Sequence, residues 1–128
     1  MKLFVYGTLK KGYGLHHVLS RSLRIGDYIT KQKGFRMTGF WYPFIFRDKT
    51  SKFSIKGELY DVDQNDFRTA NRIELGAGYK LEEIDKDVYG YVYPTKVDDL
   101  SISVIKNTKD NYYEWRSTNN MPKVQEWN

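Results

Sequence analysis

Lys2-Leu3-Phe4-Val5-Tyr6, followed at once by Gly7-Thr8-Leu9-Lys10-Lys11-Gly12-Tyr13-Gly14, is the stretch on which the fold turns. Its first half is a short apolar run of aromatic and β-branched residues, the composition of a buried strand. Its second half breaks into a glycine-rich loop. Glycine lets the main chain turn and lets a ligand come close to it. Successive backbone N–H groups in such a loop make a concavity suited to a carboxylate or another anion. The stretch therefore reads as a central strand that delivers a binding loop. A second stretch, Asn71-Arg72-Ile73-Glu74-Leu75-Gly76, reads as its chemical partner.

Outward from these anchors, Asp63 is a good N-cap and predicts a helix that carries Phe67, Ala70, Ile73 and Glu74 and ends near Leu75-Gly76, glycine being the usual terminating residue. Leu15–Ser22 has a short helical period, with Leu15, Val18, Leu19 and Leu23 on one face. Leu23–Gln32 and Gly34–Trp41 read as strands, and Tyr42-Pro43 as a break, because proline lacks the N–H of a central strand. Two hairpins are predicted, Phe44–Arg47 with Phe53–Tyr60, and Tyr79–Ile84 with Val88–Tyr93 across Asp85-Lys86-Asp87. Val97–Asn107 adds an edge strand. Many short strands and two modest helices predict an α+β fold with a small curved mixed sheet or barrel.

The chain has 128 residues, which predicts a single domain over 1–128, with 111–128, bearing Trp115 and Trp127, as a C-terminal tail covering a sheet edge or a neighbour. It has no cysteine, which excludes thiol nucleophiles and disulfides and fits a reducing compartment. The apolar N-terminal run is too short for a signal peptide, and no apolar run approaches a membrane span, so the expectation is a soluble, cytoplasmic protein without a membrane partner. The net charge is +5, but Lys10-Lys11, Arg21, Arg24, Lys31 and Lys33 are scattered, which argues for solubility rather than a nucleic-acid partner.

The glycine loop fails as a phosphate loop, because Tyr13-Gly14 stands where Lys-Ser/Thr is required. His16-His17 are adjacent and point apart on a helix, which makes a poor metal chelate, and no metal site is expected. No nucleophile signature surrounds Ser20 or Ser22. Glu58, within a predicted strand, reads as a structural acid paired with an arginine, and Glu82-Glu83 as surface charge. Glu74 differs. At the C-terminal end of a helix it meets the negative end of the dipole, and its apolar neighbours would raise its pKa toward that of a general base. A solvent-facing glutamate is the alternative on residue chemistry alone.

With these residues in place, the chain resembles the γ-glutamylcyclotransferase-like family, especially its γ-glutamylamine cyclotransferase and AIG2-like members. Val5-Tyr6-Gly7-Thr8-Leu9 followed by Gly12 looks like the family's tyrosine–glycine–serine/threonine–leucine loop. Gly57-Glu58-Leu59-Tyr60 looks like its glycine–glutamate–leucine–tyrosine strand, and Ile73-Glu74 matches the helix bearing the catalytic acid. Tyr79 resembles the tyrosine that follows. The order and spacing extend over about residues 2–94. Departures are Ala70-Asn71 in place of leucine–aspartate, Leu75 in place of a glycine after the acid, and Leu81 in place of an arginine. The resemblance implies a cofactor-free cyclotransferase that converts a γ-glutamyl amine or γ-glutamyl amino acid to 5-oxoproline and a free amine. It implies Glu74 as the catalytic acid/base and Tyr6, Gly7, Thr8, Leu9 and Tyr79 as substrate-binding residues. A catalytically silent binding module of the same fold, recognising a γ-glutamyl-like ligand or a protein, is the alternative. The leaving group and the oligomeric state are left open.

Overall fold

The computed structural model describes residues 1–39, 41–97 and 103–116. In chain order the elements are β1 (Lys2–Val5), a 3-10 turn (His16–Leu19), β2 (Leu23–Ile29), β3 (Phe35–Gly39), β4 (Pro43–Arg47), β5 (Ser54–Asp61), α1 (Gln64–Gly76), β6 (Lys80–Asp85), β7 (Val88–Val92), β8 (Val104–Asn107) and β9 (Tyr112–Trp115). Seven strands form one mixed sheet in the order β6-β7-β1-β5-β9-β8, with β2 on β5 as well, while β3 and β4 form a separate hairpin. The fold is α+β with a curved mixed sheet, as the sequence predicts, and among the described residues it has one α-helix where the sequence predicts two helices.

β1 is central. It runs antiparallel to β5 and parallel to β7. Leu3, Phe4 and Val5 are all buried, which explains a continuous apolar run rather than an alternating one. Its side chains divide between two cores. Phe4 and Tyr6 join Phe35, Met37, Ile45 and Trp115 in the layer beneath the β3–β4 hairpin. Leu3 and Val5 join Leu19, Tyr60, Ala70 and Tyr79 in the layer that α1 covers. β5 is the second organiser. Its residues from Lys56 to Asp61 pair with β2 on one edge, and its other edge is shared between β1 and β9. Gly57 has no room for a side chain there, because a Cβ would lie 2.3 Å from the Val5 carbonyl oxygen.

The N-terminal cap of α1 is the one expected: the Asp63 carboxylate accepts from the N–H groups of Asn65 and Asp66 at 2.9 and 3.2 Å. Ser22 fastens this end to β2, accepting from Asp63 N–H and donating to Asp66. The C-terminal end differs in detail. The helix includes Gly76, and the left-handed residue that stops it is Gly78, at φ +97°.

Four other expectations need correction. The predicted hairpin of Phe44–Arg47 with Phe53–Tyr60 does not form: β4 pairs with β3, while β5 pairs with β1, β2 and β9. The local turn signal at Asp48–Ser51 is present, but nonlocal partners win the pairing. The break expected at Tyr42-Pro43 does separate two strands but ends one residue sooner: Tyr42 lies outside both, and Pro43 already opens β4 opposite Gly39, a first-residue position that proline tolerates. The Leu15–Ser22 helix contracts to a four-residue 3-10 turn. The segment from Tyr112 to Trp115 is no appended tail but a strand inserted between β5 and β8. Edge strand β8 begins only at Val104. The remainder of the expected edge strand and of the tail, at 98–102 and 117–128 with Trp127, lies outside the described residues. No described helix is long and apolar enough to cross a membrane.

Candidate active site

The loop after β1, the last turn of α1 and the start of β4 enclose a cavity of about 190 Å³. All six residues singled out from the sequence line it: Tyr6, Gly7, Thr8, Leu9, Glu74 and Tyr79. Tyr42, Pro43, Ala77 and Tyr91 complete much of the wall, and the sequence reading gave none of them a role. Tyr42-Pro43 looked like punctuation, although an aromatic beside a proline in an aromatic-rich stretch is a signal for a pocket wall.

Local backbone chemistry explains why Glu74 and Tyr79 meet. The N–H of Tyr79 returns to the Glu74 carbonyl at 3.1 Å, and the N–H of Gly78 to the Leu75 carbonyl at 3.1 Å. This paired closure, made feasible by the left-handed Gly78, wraps the chain around the helix end and sets Tyr79 beside the acid. The Tyr79 hydroxyl then donates to the Pro43 carbonyl at 2.6 Å, and the Tyr6 hydroxyl to the Tyr91 carbonyl at 2.7 Å. Burial, reinforced by the charge of Glu74, pushes both phenols well above their ordinary range and keeps them neutral donors.

Glu74 is half-buried, and burial pushes its carboxyl up to about 7. No hydrogen bond or ion pair among the described residues reaches the carboxylate, so no described group offsets the cost of burying its charged form. The departures around it have structural accounts. Ala70 is fully buried in the helix-side core, and Asn71 accepts a long hydrogen bond, 3.4 Å, from the Tyr91 hydroxyl. Leu75 points outward and is exposed.

The loop is a compact turn. Lys10 N–H donates to the Gly7 carbonyl and Leu15 N–H to the Thr8 carbonyl, both at 2.9 Å. Among the described residues, the N–H groups of Gly7, Thr8 and Leu9 make no hydrogen bond. Gly7 faces Pro43 so closely that a Cβ would lie 2.6 Å from the proline ring. Two anchors hold the loop from outside. Lys11 N–H donates to Glu58 at 2.9 Å, and the buried Lys10 ammonium donates to the Trp115 carbonyl at 2.7 Å. Glu58 also accepts from the Tyr60 hydroxyl at 2.9 Å and pairs with Arg24 at 3.4 Å, the structural role expected of it. Of the basic residues near the loop, Lys10 turns inward and Arg24 is paired. His16 packs on Tyr60 and meets the Leu9 carbonyl, and no metal-binding cluster occurs among the described residues.

The site can thus hold an acid poised near neutrality against a set of backbone donors with no partner among the described residues, in a largely apolar enclosure. The profile of the family described as gamma-glutamyl cyclotransferase, AIG2-like, matches residues 3–119. A Pyrococcus horikoshii protein, PH0828, is 35% identical over 85 residues, covering 66% of this chain and 68% of that protein, and its name assigns it γ-glutamylcyclotransferase provisionally. The crystal structure of PH0828 superposes with a TM-score of 0.67 at 30% identity, over 80% of this chain and 85% of that one. An AIG2-like protein from mouse superposes with a TM-score of 0.62 at 21% identity, over 77% and 80% of the two chains, a likeness that bears on fold alone. The chain belongs to the gamma-glutamyl cyclotransferase, AIG2-like family.

Proposed function

We propose that the protein is a cyclotransferase that releases 5-oxoproline and a free amine from a γ-glutamyl amide, with Glu74 as general acid/base. The observation that carries this reading is a carboxyl, pushed up to about 7 by burial, in one cavity with the N–H groups of Gly7, Thr8 and Leu9, none of these groups having a hydrogen-bond partner among the described residues.

The chemistry follows from these parts. The substrate α-ammonium loses a proton to the Glu74 carboxylate. The freed amine attacks the γ-carbonyl carbon of the same molecule, forming the ring C–N bond and a tetrahedral oxyanion. Glu74 gives this proton to the departing nitrogen and takes up the extra proton of the ring nitrogen, so that collapse of the oxyanion breaks the original amide bond; that second proton passes to the released amine, and Glu74 is a carboxylate again. The N–H groups of Gly7–Leu9 hold the substrate α-carboxylate or the developing oxyanion, the latter worth about 10²–10³-fold per donor. Enclosure of a flexible γ-glutamyl chain in a cyclising conformer supplies the entropic part. Tyr6 and Tyr79, with hydroxyls tied to backbone carbonyls, form rigid walls. A cysteine-free chain fits the reducing cytoplasm, and the reading keeps that location.

The test is 5-oxoproline release from a panel of γ-glutamyl amines and dipeptides, with Glu74→Gln alongside. Product formed by the parent and lost in the variant is the expected result. Product that persists in the variant would remove Glu74 from its role. The altered surround of Glu74, with Asn71 engaged by Tyr91, favours a silent binding module as the second reading. Thermal stabilisation by 5-oxoproline without turnover of any amide would establish it.

A further inference from the structure

The cyclotransferase chemistry proposed above does not specify which amine departs. We propose that the cavity selects amides whose leaving amine bears an apolar, aromatic group and no carboxylate, and that Tyr42 sets this preference. The inference rests on the cyclotransferase reading.

Charge inside the cavity is the first argument. Among the described residues that line it, Glu74 is the one charged side chain; no lysine, arginine or histidine is present. The cation closest in sequence to the binding loop, Lys10, is directed away, its ammonium on the Trp115 carbonyl and 5.0 Å from the centre of the Tyr13 ring. A γ-glutamyl amide brings one α-carboxylate, which the free N–H groups of Gly7–Leu9 can hold. A γ-glutamyl amino acid brings a second carboxylate on its leaving group. That group would enter an apolar enclosure with no counter-charge among the described residues and approach an acid that is itself partly ionised at neutral pH. An unpaired buried carboxylate is strongly disfavoured.

The shape of the remaining wall is the second argument. The loop occupies one side of the cavity and the end of α1 another, which leaves the leaving group the side formed by Tyr42, Pro43 and Tyr79. Tyr42 lines the cavity while 53% exposed, and so forms its rim. Its ring meets Phe44 edge-on at 5.5 Å, and Phe44 stacks on Tyr79 at 5.6 Å with an interplanar angle of 11°. The rim ring is therefore held in a continuous aromatic array that reaches the tyrosine beside Glu74. Such an array offers a phenyl ring edge and face contacts and offers a carboxylate no cation.

The test is a matched pair. γ-Glutamyl-phenethylamine and γ-glutamyl-phenylalanine differ by one carboxylate, and γ-glutamyl-methylamine, with neither ring nor carboxylate, reports on cyclisation alone. For the parent protein kcat/KM should favour phenethylamine over phenylalanine release at least tenfold. Tyr42→Arg, at an exposed position and with thermal unfolding checked, should narrow that ratio to threefold or less by gaining on the phenylalanine amide. Tyr42→Ala should raise KM for the phenethylamine amide at least threefold more than for the methylamine amide. Equal turnover of the pair, or preference for the phenylalanine amide, would overturn the selection while leaving the cyclotransferase reading intact. A ratio unmoved in Tyr42→Arg would overturn the role of Tyr42. Absence of turnover of all three amides would sink the cyclotransferase reading and this inference with it.

Discussion

Glu58 and Glu74 are two glutamates beside one loop, Glu58 bonded to its Lys11 N–H and Glu74 sharing a cavity with Gly7–Leu9, and they have opposite fates. The Glu58 side chain is the drier kind, 13% exposed, yet it is fully engaged: the Tyr60 hydroxyl, the Lys11 N–H and Arg24 all reach it. Glu74 is only half-buried, yet no described partner reaches its carboxylate, and its pKa is pushed up to about 7. Burial alone therefore does not distinguish a structural acid from a chemical one. What separates them is whether the charged form is answered by donors. Glu58 uses its charge to hold the backbone at Lys11, next to the binding loop. Glu74 keeps its charge in balance and so can take up and release a proton near neutral pH.

The sharpest way to break this contrast is to neutralise the unpartnered acid. Glu74→Gln should lower kcat by about 10²–10⁴-fold, the usual worth of a positioned acid/base, with a smaller change in KM. Its effect on stability should run the other way. Because the folded pKa lies above the ordinary value of 4.5, ionising Glu74 in the folded state costs free energy, and the cost accrues as pH rises from about 4.5 through 7. Screening by solvent reduces it to the order of 1 kcal/mol. The variant should thus match the parent in denaturant unfolding at pH 4 and exceed it at pH 8. A variant less stable than the parent at pH 8 would mean that the carboxylate has a partner after all. The same titration should place the acid limb of kcat/KM near pH 7, with activity rising as Glu74 ionises; a limb near 4 would contradict the buried setting.

Glu58→Ala is the complementary break. It strands the Tyr60 hydroxyl and the Lys11 N–H and leaves Arg24 with Asp27 alone. Loss of about 2–3 kcal/mol is expected, typical of removing one partner from a buried charged network. Because the loop loses one anchor, KM should rise several-fold while kcat falls less than tenfold. A kcat loss as large as that of Glu74→Gln would erase the division of labour between the two acids.

Much of this contrast is legible in the sequence, and the physical reasons are specific. β1 declares itself because both of its faces are buried, so no polar residue interrupts Leu3-Phe4-Val5. α1 declares itself because its cap is local chemistry, Asp63 bonding two residues on and three residues on. Glu74 stands out as an acid at a helix end among apolar neighbours. The pairing of β4 is not legible. Its ladder to β3 competes with a local turn toward β5, and β5 has stronger claims from β1, β2 and β9, each distant in sequence. The aromatic rim fails for the same reason. Tyr42, Phe44, Tyr79 and Tyr93 become neighbours only when β4 packs beside β7 and Tyr79 reaches the Pro43 carbonyl, an arrangement that no periodicity in the chain announces. The strand at Tyr112–Trp115 is short and carries Glu114, and it becomes recognisable only through its parallel partner in β5.

The smallest effect tests whether the contrast extends to the tyrosine that the helix end delivers. The Tyr79 ring stacks on Phe44, and its hydroxyl donates to the Pro43 carbonyl at 2.6 Å. Tyr79→Phe keeps the ring and removes the donor, leaving one backbone carbonyl unanswered, a cost of about 1 kcal/mol. If the hydroxyl serves only to pin the start of β4 against the site, the thermal midpoint should fall by a few degrees and kcat/KM by threefold or less. The Pro43 carbonyl supports this expectation, since a hydroxyl already committed to a buried backbone acceptor cannot also donate its proton to substrate. A fall in kcat of thirtyfold or more at unchanged KM would show that the hydroxyl leaves Pro43 during turnover and reaches the reacting atoms. Tyr79 would then belong with Glu74 rather than with Glu58, and the boundary between answered and unanswered groups would have to be drawn for the working enzyme rather than for the resting one.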